Sequence, residues 1–111
     1  MSDWRAREVD NETSSREINE LIAEMGEDAA TLAYVCECSD GGCQTTIALT
    51  HVEYEEVRAH GTHFALARDH ESPDLDLMVS ERDGFTIVRK LPGLPARMAD
   101  DSDPRRPRTE R

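Results

Sequence analysis

The sequence predicts a small single α+β domain, an antiparallel sheet of about 4–5 strands with two helices packed on it, in the order α-β-β-α-β-β(-β). Three observations carry that prediction. Two S/T-x-x-E boxes, Ser14 to Glu17 and Thr50 to Glu53, each open a run with apolar residues at helical spacing. Short segments rich in β-branched and apolar residues fill the intervals. Asp-Gly turns at Asp40-Gly41-Gly42 and Asp83-Gly84 join those segments in pairs.

Residues 1–13 are polar and without period, which predicts a flexible N-terminal arm in which Trp4 stands out as an exposed indole. Ile18, Leu21, Ile22 and Met25 fall at i, i+3, i+4 and i+7 and predict a helix over 14–26 that buries this stripe, with Gly26 as its stop. Arg16, Glu17, Asn19, Glu20 and Glu24 then form its solvated face, and Arg16 with Asn19 offers a polar pair for locking the domain or meeting a partner. "TLAYVCECS" (31–39) reads as a strand with Leu32, Tyr34, Cys36 and Cys38 on one side and Ala33, Val35 and Glu37 on the other. "TTIALT" (45–50) returns to complete a hairpin. Thr50 opens a second helix, "HVEYEEVRAH", with Val52, Tyr54 and Val57 apolar and Gly61 at its end. "HFALAR" (63–68) is a third strand, followed by a loop broken by Pro73. "LDLMVSE" and "FTIVRKL" make a second hairpin, with a short helix over Leu75–Val79 as the alternative for its first arm. From Pro92 four prolines and no apolar period predict a disordered tail, 92–111, leaving 14–91 as the domain.

At 111 residues the chain fits one domain, and a core of that size benefits from a metal or a partner. The net charge of −11 argues against a nucleic-acid binder, which needs a basic surface for phosphates. The acidity belongs to residues 1–91, with 20 acidic and 8 basic side chains, whereas 92–111 carry 4 and 5. No apolar run is long enough to span a membrane, and the first residues lack the apolar core of a signal peptide. A cytoplasmic protein is expected, where thiols stay reduced.

All three cysteines stand in C-x-C-x4-C spacing at the first hairpin. Cys36 and Cys38 point the same way from a strand, and the Gly-Gly turn brings Cys43 back toward them. Structural zinc takes four thiolate or imidazole ligands in a tetrahedron, so a fourth ligand is needed. His70 ranks first, with His51 and His63 behind it, His60 near the end of the second helix, and solvent or Asp40 as the open variant. The expected set is Cys36, Cys38, Cys43 and His70 around a structural zinc, although spacing alone does not exclude iron. A thiol redox switch and inert packing are the alternatives. No oxyanion-hole or phosphate-loop motif points to an enzyme.

The stretches "REINELI", "YVCECSDGGC", "LTHVEYEEVRAHGTHFALARDHESPD" and "RDGFTIVRK" resemble a family of small uncharacterised actinobacterial proteins. Its members carry an R-x-x-N-E helix, a C-E-C-x4-C hairpin, an E-Y-E-x-V-R helix and a P-G-H-x-x-P loop before a terminal hairpin. The resemblance covers residues 14–90, and the matching positions are Arg16, Asn19, Glu20, Cys36, Cys38, Cys43, Tyr54, Arg58 and His70. Arg68-Asp69-His70 stands where the family has Pro-Gly-His. The resemblance implies that His70 belongs with the three cysteines, and it implies no activity. The functional expectation is a zinc-binding accessory or regulatory module acting through protein contacts, with a thiol redox sensor as the alternative and a small zinc hydrolase behind both. A protein partner is expected, with no nucleic acid and no membrane.

Overall fold

The first helix begins at Trp4, well before its expected start at Ser14. In the structure, a computed structural model that describes residues 4–26 and 31–105, α1 spans Trp4–Met25. The expected flexible arm is therefore helical from Trp4 onward, and its residues 1–3 lie outside the described residues. No Gly or Pro interrupts 4–25, and tertiary contacts supply what propensity does not.

The helix is also turned over relative to the expectation. Ile18, Leu21 and Met25 are 49%, 59% and 88% exposed, and only Ile22 of the predicted stripe packs against the core. The buried face is Val9, Glu12, Thr13, Arg16, Asn19 and Ala23, at the same helical spacing but mostly polar. Directional bonds explain the choice. Arg16 donates to the carbonyls of Gly61 and Ala99, the latter at 2.7 Å, and its guanidinium lies 4.6 Å from the centre of the Phe64 ring. Lys90 Nζ is 2.5 Å from Glu12 Oε1 and is also paired with Asp76.

After α1 come β1 (Thr31–Val35) and β2 (Thr46–Thr50), an antiparallel pair with Tyr34 opposite Ile47. Then follow α2 (His51–Arg58), β3 (His63–Leu66), β4 (Asp76–Arg82), β5 (Phe85–Lys90) and α3 (Leu94–Asp101). The capping box of α2 forms as the sequence predicts, with Thr50 Oγ1 accepting from Glu53 N–H and Glu53 accepting from Thr50 N–H. The second hairpin closes at Gly84, whose φ of 84° suits glycine, and the alternative helix over Leu75–Val79 does not form. Among the described residues all strand pairing is antiparallel, but the five strands divide into a two-stranded sheet, β1-β2, and a three-stranded sheet, β3-β5-β4.

The expected disordered tail contains a third helix. α3 takes Pro95 in its first turn, where a missing N–H costs nothing, and buries Pro95 and Ala99. Arg16 reaches it through the Ala99 carbonyl. Residues 106–111 of that tail lie outside the described residues.

Two carboxylates, Glu12 and Asp76, share one buried ammonium, Lys90. Burial pushes the Glu12 carboxyl up, Lys90 partly offsets this and Asp76 adds to it, leaving it at about 7. The folded protein thus keeps a proton that the unfolded chain releases near its ordinary 4.5. The associated stability is full below that pH and is lost as pH rises through about 7. Urea unfolding across this window should show a decline on the order of 3 kcal/mol from this group. Glu12→Gln should abolish the decline and be at least as stable as the parent at pH 8. An unchanged slope in the variant would assign the titration to another group.

Candidate metal centre

The cysteine cluster is built where the segment leaving β1 crosses the end of β3. Asn19 of α1 holds that segment. Its Oδ1 accepts from Val35 N–H at 2.8 Å, and its Nδ2 donates to Val35 O at 2.9 Å and to Glu37 Oε2 at 2.7 Å. Glu37 is fully buried, and its Oε1 accepts from Ala65 N–H at 2.9 Å and from Arg58 at 3.3 Å. Arg58 also donates to His63 O at 2.7 Å. The carboxylate therefore points away from the thiols, toward α1, α2 and β3.

Cys36 and Cys38 project to the opposite side and are buried, whereas Cys43 is half-buried. The turn between them is set by Asp40. Its carboxylate accepts from Gly42 N–H at 2.9 Å, and its carbonyl accepts from Cys43 N–H at 3.1 Å. The fourth group comes from the 67–70 turn, closed by His70 N–H donating to Ala67 O at 3.2 Å. Asp69 in that turn has φ of 70°, a left-handed conformation that glycine favours and aspartate tolerates.

Ligand atoms of Cys36, Cys38, Cys43 and His70 all lie within 4.8 Å of one another. His70 presents Nδ1, at 3.5 Å from Cys36 Sγ and 3.7 Å from Cys43 Sγ. Zinc bonds of about 2.0–2.3 Å in a tetrahedron give edges of roughly 3.5–3.8 Å, and the two nitrogen–sulfur separations fit such an edge. Cys36 Sγ also accepts from Ala67 N–H at 3.1 Å, the kind of outer bond that steadies a metal-bound thiolate. Burial pushes the Cys36 thiol well up, and the Ala67 amide offsets only part of it. Burial likewise raises Cys38. At Cys43 burial also acts upward, but hydrogen bonds involving Thr45, Cys38 and His70 outweigh it and bring the thiol to about 7.

The structure thus brings together Cys36, Cys38, Cys43 and His70, and it separates the other candidates from them. His51 is exposed at the start of α2, in a hollow with Glu20, Glu24 and Glu55. The His60 and His63 rings face each other at 4.3 Å, beside Glu56 and Arg82. Asp40 shapes the turn through its exposed carboxylate. Sequence reasoning did not find Glu37 as the hub of the site. The available signal was its position between two cysteines on the opposite face of an extended segment. Compared with protein-family models, with curated proteins and with solved structures, the chain matches none.

Asn19 carries three of the bonds that fix this crossing. Asn19→Ala should cost about 2–4 kcal/mol in urea unfolding, because it leaves both polar groups of Val35 and one Glu37 oxygen without a partner. Asn19→Asp should cost at least as much, since it sets a second carboxylate against Glu37. Losses within about 0.5 kcal/mol, the size of ordinary surface changes, would show that these bonds do not hold the crossing.

Proposed function

We propose that the protein is a small zinc-binding accessory or regulatory module that acts through protein contacts, with zinc as its structural cofactor. The observation that carries this reading is the convergence of three sulfurs and one imidazole nitrogen within 4.8 Å. Three thiolates and one imidazole complete a tetrahedron and leave no position for a reacting water, so the donor set suits a structural ion better than hydrolysis. Cys36, Cys38 and Cys43 would hold the ion from the hairpin side and His70 from the 67–70 turn. Its chemistry there is that of a cross-link that also keeps the thiols deprotonated. The ion would join the two sheets, since Cys36 follows β1 and His70 follows β3. Among the described residues no helix is long and apolar enough to cross a membrane. We assign the cytoplasm, where reduced thiols remain open to metal. Kinship with the small actinobacterial family is part of the same proposal and rests on the same cysteines and His70.

One observation favours a thiol redox sensor as the second reading. Cys43 is both the most accessible thiol of the three and the one lowered to about 7. A peroxide would oxidise its thiolate to the sulfenic acid, and a neighbouring cysteine would condense with it, releasing water and forming a disulfide.

Metal analysis of the purified, untagged chain decides between them. The expected result is one zinc per chain, with affinity lowered at least about 100-fold in Cys38→Ser and in His70→Ala. Chelation should then lower stability by about 3–4 kcal/mol relative to zinc in roughly hundred- to thousandfold excess over its Kd. A metal-free protein with three freely titrating thiols would overturn the zinc reading. A disulfide that then forms and reverses under peroxide and reductant would establish the sensor.

A further inference from the structure

The apolar stripe of α1 that the core leaves unused lies beside a ready-made receptor for a guanidinium group. Arg105 occupies that receptor in the structure. Its Nε and one terminal nitrogen donate to the two carboxylate oxygens of Glu20 at 2.7 and 3.1 Å. Its terminal nitrogens donate to the two oxygens of Glu55 at 2.7 and 2.8 Å. The guanidinium lies 5.7 Å from the centre of the Tyr54 ring. That ring stacks on Tyr34 at 4.5 Å, and its hydroxyl donates to Glu20 at 2.5 Å. Two carboxylates aligned for forked hydrogen bonds beside a fixed aromatic ring select arginine over lysine.

The surroundings exceed what one arginine needs. Glu17, Glu24 and Asp103 line the adjoining groove of about 510 Å³, together with Glu20 and Leu21. Arg105 is one-third exposed and enters from near the end of the described chain. It leaves Ile18, Leu21 and Met25 uncovered along the same helix. A ligand matching all three features has arginines on one side and aliphatic residues at helical spacing on the other.

We propose that this face of α1 docks a basic amphipathic helix of a partner protein, one arginine of which takes the Glu20–Glu55 clamp in place of Arg105. The proposal rests on the reading of the protein as a binding module and names the chemistry of its partner. It does not require the metal. Arg105 is then the chain's own competitor, and its release sets the apparent affinity.

The probe is a fluorescent synthetic helix with leucines at i, i+3, i+4 and i+7 and flanking arginines, titrated into the full chain, with a lysine-for-arginine counterpart. Arg105→Ala should tighten binding about tenfold, the factor by which the in-chain occupant masks the clamp. In the Arg105→Ala background, where no in-chain arginine competes, Glu55→Gln, at a half-exposed position that should not disturb folding, should weaken binding about tenfold, as should Leu21→Ser with Met25→Ser. The lysine peptide should bind more weakly than the arginine peptide. Absent binding, equal affinities for the parent and Arg105→Ala, equal affinities for Arg105→Ala with and without Glu55→Gln, or equal affinities for the two peptides would overturn the proposal. Concentration-dependent self-association lost in Glu55→Gln would also overturn it, by making a second copy the occupant. Zinc is measured in the same samples. Zinc-free protein that binds the helix sinks the metal reading alone, and zinc-loaded protein that ignores it sinks the docking surface alone.

Discussion

β3 lies at one side of its sheet, and the way its open edge is closed decides where much of the molecule goes. The amides of Ala65 and of Ala67 just beyond its end do not meet another strand's carbonyls. They donate to Glu37 Oε1 at 2.9 Å and to Cys36 Sγ at 3.1 Å, while Glu37 N–H donates to Ala65 O at 2.9 Å. Two side chains and one amide thus replace a ladder. An edge with free donors is a template for pairing with other chains, and this one is covered by the C-E-C run. Because neighbouring side chains in an extended segment point to opposite sides, a single crossing does two things. It buries a carboxylate between α1, α2 and β3, and it turns two thiols toward the 67–70 turn.

A buried carboxylate obliges the rest of the domain to answer it. Removing one partner of such a group costs more than the assembled pair contributes, because the charge left behind cannot reach water. Arg58 and Asn19 answer Glu37, Lys90 answers Glu12 and Asp76, and the backbone carbonyls of Gly61 and Ala99 answer Arg16. These bonds are directional, as aliphatic contacts are not. Asn19, bonded to both the N–H and the C=O of Val35, fixes the rotation of α1 against β1. Once that rotation is set, Ile18, Leu21 and Met25 face outward as a geometric consequence.

This explains which features could be read from the sequence. The α2 capping box, the Asp83-Gly84 hairpin and the gathering of Cys36, Cys38 and Cys43 are local, and local chemistry determines them. His70 was reachable through the family resemblance and through its loop position. The face of α1 was not. Hydrophobic periodicity assumes that burial follows apolarity, and here hydrogen bonds to residues 16 to 83 positions away in the chain override it. The same long-range bond to Ala99 accompanies α3, which lies in a proline-rich, polar stretch that resembles a disordered tail. The division into two sheets was equally hidden, since it depends on Glu37 and Cys36 standing in for a ladder.

The crossing also gathers a donor set close enough to hold a cation. The 36–43 and 67–70 segments meet through one N–H···S bond and two nitrogen–sulfur approaches of 3.5 and 3.7 Å, all weak as neutral contacts. Burial favours the protonated form of Cys36 and Cys38, so without a positive charge the sulfurs stay poor acceptors. A divalent ion held by Cys36, Cys38, Cys43 and His70 would reverse that preference. Cys36, Cys38 and Cys43 would then favour their anionic form, and the Ala67 amide would donate to a charged sulfur at Cys36. The edge closure of β3, the burial of Glu37 and the ligand set then reinforce one another, because each depends on the same step of backbone from Val35 to Cys38. In a domain whose interior relies on polar pairs, such a cross-link would act where the two sheets share no backbone ladder.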